Sequence, residues 1–304
     1  MAAPTNTFQT YQAIGNREDL IDLITNISPD ATPFFSAISS TRATATTHEW
    51  QTDVLDTPAA NAQIEGDDTS NTAVTPTVRL SNYTQILKKG YGISGTQEAV
   101  KSAGRSNEMA YQMQKAMRGI ATDVEYALVM NASAVSGASG TARQLKGLKG
   151  WVATNESTAG ADRDLTSTIL DGAHQLAWAA GGTPDMVLCS GFQKKQFANA
   201  TNFPGMTRQV SAESAKIANA VEIYEGSFGT LTVKLSHVMN SDGTLKKWLF
   251  GLETQRYATA WLRPFDRQPL AKTGDSVREQ IIGECTLEAR NEKSSFVIKN
   301  LTAA

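Results

Sequence analysis

From about Ser106 to Asn131, apolar side chains return every three or four residues: Met109, Met113, Ala116, Met117, Ile120, Val124, Ala127 and Leu128. This spacing places them on one face of a helix about 39 Å long at ~1.5 Å per residue, with Ser106 or Asn107 as its cap. The methionines read as core packing rather than as an adaptable binding surface. A shorter stripe of Leu20, Ile21, Leu23 and Ile24 follows Asn16, which can cap a helix that has Glu18 and Asp19 in its first turn. Pro29 ends that helix, and Ser28-Pro29 can start a further short turn before an apolar anchor of Phe34, Phe35 and Ile38. Residues 1–13 lack periodicity and read as an extended arm.

The period changes to two after this. His48, Trp50, Thr52 and Val54 face one way, and Glu49, Gln51 and Asp53 the other. A second extended run covers Pro76 to Ile93. Residues 56–75 lie between them, with Pro58, Glu65, Gly66, Asp67 and Asp68 and few large apolar side chains. A connection this long is uncommon inside a compact domain and is usually functional. Ser94-Gly-Thr-Gln97 has capping-box spacing, and Gly104 can stop the short helix it opens. Beyond residue 131 comes a loop rich in small residues, with Gly147-Leu-Lys-Gly-Trp151 as an anchor. Next are a helix bearing Leu165, Ile169, Ala173, Leu176 and Ala180, the buried run Met186–Cys189, and a helix opened by Ser190. Gly226-Ser-Phe-Gly229 marks a hairpin. From Tyr257 strands dominate, and Ile281, Gly283, Cys285, Leu287 and Ala289 alternate with Ile282, Glu284, Thr286, Glu288 and Arg290.

Composition narrows the function classes. The 304 residues are 40% hydrophobic and 19% charged, with a net charge of −2. There is no global basic field for specific nucleic-acid recognition. Residues 1–95 hold 5 Lys/Arg against 10 Asp/Glu, a net of −5; residues 96–304 hold 23 against 20, a net of +3. An acidic projection and a slightly basic body can attract between neighbouring copies. Cys189 and Cys285 make no disulfide framework and read as small buried residues in a reducing compartment. No signal peptide is visible, and no apolar run is long enough to span a membrane. The three histidines, His48, His174 and His237, have no ligand-spaced partners, so neither metal nor cofactor is expected. Asp171, His174 and Ser190 contain the residue types of a hydrolase triad. However, Cys189-Ser-Gly191 is not a nucleophile elbow, and Ser190 is accounted for as a cap. No enzyme is expected.

The order of segments Asn26–Ile38, His48–Leu55, Tyr91–Glu98 and the long helix resembles the major capsid proteins of tailed bacteriophages with the Hong Kong 97 fold, in the branch without a long scaffolding segment. The resemblance implies an α+β fold. Its expected parts are an N-terminal arm with short helices (1–45), an extended loop (46–93), a peripheral domain with spine helix (94–150), an axial domain (151–256) and the peripheral sheet (257–304). It implies a structural role: pentamers and hexamers of the chain itself form an icosahedral head, assembled in the bacterial cytoplasm, around double-stranded DNA held non-specifically. Separate scaffolding and portal proteins, and decoration proteins in some heads, are the implied partners, with no membrane. Glu65, Asp67 and Asp68 at the loop tip and Lys88 and Lys89 at its base are the expected contacts between copies. The family's Lys–Asn crosslink is not expected, since the tip lacks lysine and Asn291, Glu292 and Asn300 lie in turns or near the end. Two other assignments fit less well: an encapsulin-like compartment, which a cargo-peptide groove would mark, and a surface-binding protein that does not assemble.

Overall fold

The computed structural model describes residues 31–68, 73–100, 107–204, 210–211, 216–217 and 222–303. The Asn16-capped helix, the arm and the Gly104 stop lie outside them. The chain opens with α1 (Pro33–Ala37) and β1 (Ser39–Arg42). A ribbon follows, β2 (Thr47–Thr52) and β3 (Val78–Tyr83), then β4 (Gln85–Ser94) and α2 (Gly95–Ala99). The long helix is α3 (Glu108–Met130), capped by the Asn107 side chain, which accepts from the Ala110 N–H at 2.9 Å. Next come α4 (Leu148–Trp151), β5 (Glu156–Ser157), α5 (Ser167–Ala179), β6 (Met186–Cys189) and α6 (Gly191–Phe197). The remaining elements are β7 (Val210–Ser211), β8 (Lys216–Ile217), β9 (Ile223–Gly226), β10 (Gly229–Leu235), α7 (His237–Ser241), β11 (Leu249–Leu252), β12 (Tyr257–Pro269), β13 (Ser276–Ala289) and β14 (Phe296–Ile298).

Two larger sheets organise these elements. One has the order β1-β12-β13-β4, and the other β5-β14-β11-β6-β10-β9. β1 lies parallel to β12, so the chain's early segment closes an edge made by its late one. The six-stranded sheet is covered on both faces, which is why β6, β11 and β14 read as continuous apolar runs. Val187, Cys189, Leu249 and Phe296 pack with Leu170, Ala173 and Ala177 of α5 and Phe197 of α6. On the other face Leu188, Phe250 and Val297 join α3, β13 and α7 in one core with Ile120, Val124, Leu128 and Leu287. Gly251 is needed here because a Cβ would stand 2.1 Å from ring atoms of Phe296, its partner across the ladder.

Two patterns were only half legible. Met117 is 51% exposed rather than on the buried stripe, whereas Glu125, not an apolar residue, is completely buried. Second, the extended run after Pro76 breaks at Thr84. β3 pairs with β2, but β4 leaves the ribbon and pairs with β13 from Cys285↔Gln85 to Ser276↔Ser94. Thr84 marks the crossing: its N–H binds Thr46 O at 2.8 Å and its hydroxyl donates to Glu284 at 2.6 Å.

Ile120 is 2% exposed in the middle of α3. Ile120→Ala is expected to lower unfolding free energy by about 2–5 kcal/mol, through lost transfer energy and a cavity. Ile120→Asp, an unpaired charge in the same place, is expected to abolish cooperative thermal unfolding. Circular dichroism melts check both, and a well-folded aspartate variant would place this face outside the core.

Candidate functional site

The base and the tip of the β2–β3 ribbon have opposite surroundings. At the base, period-two alternation turns His48 and Trp50 inward. Trp50 meets Trp151 with ring centroids 5.5 Å apart, and Lys146 Nζ lies 4.3 Å from the Trp151 centroid. His48 Nε2 lies 3.1 Å from Glu288 Oε2, which also accepts from the Thr41 hydroxyl at 3.1 Å. Asn82 on β3 is a second anchor. Its amide donates to the carbonyls of Lys146 (3.0 Å) and Leu287 (2.8 Å), and its carbonyl accepts from the Lys146 N–H at 2.8 Å. The ribbon is therefore fixed to β13 and to the segment before α4.

Beyond Thr52 and Val78 that support stops. Val54, Leu55, Ile64 and Val74 are all more than three-quarters exposed, with Leu55 at 94%. Gly66 takes φ +84 in the tip turn, where the Asp67 N–H binds Ile64 O at 3.1 Å. Glu65, Asp67 and Asp68 are exposed around it, and among the described residues none of them has a basic partner.

Lys88 and Lys89 are not at the ribbon's base. Both stand on β4, within the four-stranded sheet, because the chain has already crossed at Thr84. Lys89 pairs with Asp123 of α3 at 3.0 Å, while Lys88 is exposed. The five residues expected at inter-copy contacts thus fall into two groups on different parts of the fold.

Sequence reasoning missed the acids that hold the ribbon's floor. The polar row of β13 does not face water. Glu284 is 3% exposed and takes Arg143 at 2.5 Å, Arg263 at 3.1 Å and the Thr84 hydroxyl. Glu288 takes Arg290 at 2.9 Å besides His48 and Thr41. Two carboxylates on one face of a strand otherwise rich in apolar residues were the available signal; of their donors, Thr41, His48, Thr84 and Arg143 lie more than a hundred positions away in sequence.

The residues of the discarded triad are separately engaged. The Asp171 carboxylate accepts from the Tyr224 hydroxyl at 3.0 Å. His174 is buried between Phe228 and Phe296, and burial lowers its pKa, with Asp171 opposing. The Ser190 hydroxyl donates to Lys246 O at 2.9 Å and does not cap α6. Both cysteines are buried, and burial pushes each thiol up to about 12. An open pocket of about 460 Å³ beside Ile86, Gly137 and Thr141 has Arg143 as its charged group, and Glu284 already engages it. Among the described residues no group of three or more His, Cys, Asp or Glu is placed to hold a metal, and no helix is long and apolar enough to cross a membrane.

Known proteins agree with this architecture. A "major capsid protein" of Escherichia phage Phieco32 is 35% identical over 130 residues, 42% of this chain and 37% of that protein, so the match spans well under half of the relative. The capsid of a native GTA particle has a chain with TM-score 0.66 and 13% identity, covering 96% of this chain and 98% of its own. The SrpI encapsulin of Synechococcus elongatus gives 0.62 and 10%, over 94% and 92%. At such low identity these likenesses speak for the fold alone, and that fold is the α+β capsid fold of the Hong Kong 97 type. The SU10 major capsid protein model aligns with residues 3–302, so that the chain belongs to the SU10 major capsid protein family.

Proposed function

We propose that this chain is the structural subunit of a phage head: copies associate into pentamers and hexamers that close an icosahedral shell around double-stranded DNA. The observation that supports this best, in a member of a capsid family, is the ribbon with a fixed base and an uncovered apolar tip. Covering one Val, Leu or Ile fully contributes about 1.5–3 kcal/mol. Nothing in the described part of the same chain covers Val54, Leu55, Ile64 or Val74, and a neighbouring copy can.

In this assignment residues 46–93 are the extended loop, with its projecting part limited to β2, β3 and the tip. The four-stranded sheet with α3 is the peripheral domain. The six-stranded sheet with α5 and α6 is the axial domain, whose copies meet at five- and six-copy clusters. Residues 1–45 contribute the arm. The work is mechanical rather than catalytic, and stability comes from large interfaces. The shell is part of the virion and assembles in the host cytoplasm with a separate scaffold and a portal, and decoration proteins bind in some heads. DNA inside meets the shell through weak contacts that ignore sequence. An encapsulin-like compartment shares the fold, and the contents of purified particles, nucleic acid or protein cargo, separate the two.

Expressed with its scaffold, the full chain is expected to give closed particles by electron microscopy. Deleting residues 57–75 is expected to leave the subunit's thermal unfolding cooperative while particle yield collapses. A chain that stays monomeric with all partners present would overturn the shell assignment. Loss of subunit folding on deletion would instead make the tip part of its own core.

The acids make a separate prediction, since Glu65, Asp67 and Asp68 are exposed and have no basic partner among the described residues. The triple variant Glu65→Gln, Asp67→Asn, Asp68→Asn is expected to lower the particle's Tm at low salt and to have less effect at high salt. Exposed ion pairs contribute roughly 0–1 kcal/mol each and are screened within about 10 Å at 0.1 M salt. The isolated subunit's Tm is expected to stay unchanged. Equal shifts at both salt concentrations would leave these acids with no role between copies.

A further inference from the structure

β4 ends one side of the four-stranded sheet, and its outer edge is bare. In an antiparallel pair, alternate residues turn both backbone groups toward the partner, and the residues between them turn both away. The Gly95 N–H donates to Asp275 O at 3.3 Å, in line with the Ser94↔Ser276 register, so odd-numbered residues of β4 face β13. Arg278 gives the same parity. Its carbonyl accepts from the Leu270 N–H at the end of β12, on its other side, so its β4 partner Gly92 faces outward. Ile86, Lys88, Gly90 and Gly92 therefore turn their N–H and C=O groups away from the sheet. All of them are exposed, and among the described residues those groups have no partner. Gly90 has neither a left-handed φ nor a crowded Cβ position, where the nearest atom would be Glu279 O at 3.9 Å. Nothing in its own chain asks for glycine there, and a glycine inside a strand often marks the close approach of another backbone.

The ribbon carries the counterpart. The Thr84 N–H bond to Thr46 O turns the even-numbered residues of β2 toward β3, and Glu49 and Gln51 away from it. Past Thr52 the chain has no strand partner, and Asp53, Val54 and Leu55 are exposed. The same alternation puts outward backbone groups at Gln51, Asp53 and Leu55. Laid antiparallel on β4 with Leu55 opposite Ile86, the spacing of two brings Asp53 opposite Lys88 and Gln51 opposite Gly90. Every opposed pair then turns its backbone groups toward the other, and a slip of one residue destroys that match. The side chains agree with this register. Ile86 is 46% exposed and lines the open pocket with Gly137 and Thr141, a seat for a leucine that is 94% exposed. Asp53 and Lys88 are exposed opposite charges with no ion pair among the described residues. Edge and flank are both uncovered in the single chain, so they do not meet within it.

We propose that the outer edge of β4 receives residues 51–55 of a second copy as an added antiparallel strand, with Leu55 at Ile86 and Asp53 at Lys88. Backbone hydrogen bonds supply the attachment, while the apolar seat and the ion pair set the register. Lysine on an open edge discourages stray pairing, and here it also selects a strand that carries an acid. This docking rests on the shell assignment and gives the surface on which the next copy's ribbon lands.

Cysteine pairing in assembled particles of the full chain, expressed with its scaffold, tests this. Opposed Cα atoms of such a pair lie about 5.5 Å apart, within reach of a disulfide. The double variant Leu55→Cys, Ile86→Cys is expected to give a ladder of crosslinked copies on mild oxidation, which neither single variant gives. Cys189 and Cys285 are buried and do not compete. A displaced pair, Leu55→Cys with Val277→Cys on the neighbouring β13, is expected to run as monomer on denaturing gels. Closed particles of the double variant without the ladder, or an equal ladder from the displaced pair, would overturn the added strand and leave the shell assignment standing. A wild-type chain that gives no particles would overturn both. Should the double variant not assemble, residue-resolved hydrogen exchange on wild-type particles decides. The amides of Ile86, Lys88 and Gly90 are expected to slow more than about tenfold from free subunit to particle. Unchanged exchange at these three would overturn the added strand.

Discussion

A carboxylate taken out of water must find donors, and along β13 those donors come from the rest of the chain. Glu284 and Glu288 draw in Thr84 at the ribbon crossing, Arg143 before α4, Arg263 on β12, His48 on β2 and Thr41 on β1. Removing one partner of such a buried pair costs several kcal/mol, because the other charge stays behind. β13 can have both faces covered only because this polar row is satisfied. It also runs through the middle of its sheet, so the segments it recruits fix the ribbon, the early strand and the approach to α4 relative to one another.

A second constraint works alongside it. Trp50 on Trp151, with Lys146 over the ring, and the three hydrogen bonds of Asn82 turn the ribbon's base into part of the body. A projection without such a floor would swing freely and lose entropy on each contact it made. With the floor in place, the direction in which the tip leaves the body is fixed before any neighbour arrives. Glu125 does for the early chain what Asn82 does for the ribbon, one polar side chain satisfying backbone groups far away in sequence.

Much of this was legible in the residues. The α3 stripe, the Asn107 and Ser94 caps, the alternation at His48–Thr52, the buried Met186–Cys189 run and the 226–229 hairpin are local signals, and local signals survive into the fold. The misreadings share a cause. Nothing near Thr84 announces that the extended run changes partners, because the partner strand is two hundred positions away. Period-two alternation correctly gave Glu284 and Glu288 a common face but could not say that the face is covered. Lys88 and Lys89 were assigned to the loop for the same reason. Nothing near Glu125 in the sequence marks it as buried, since its carboxyl oxygens take the Phe34 and Phe35 N–H groups of a proline-led turn some ninety positions away.

In the proposed shell the tip of one copy is covered by a different part of the next, and this sets a rule for counting. If two copies faced each other through the same patch, the pair would be complete and growth would stop. A contact between unlike patches leaves every pair with one projecting tip and one vacant surface, so association continues until the chain of contacts returns to its start or runs on as an open array. The angle at which the ribbon leaves β13 then matters more to the product than the strength of any single contact. A substitution at Trp151 or Asn82, at the floor of the ribbon rather than its tip, would then act on the size and closure of what the copies build.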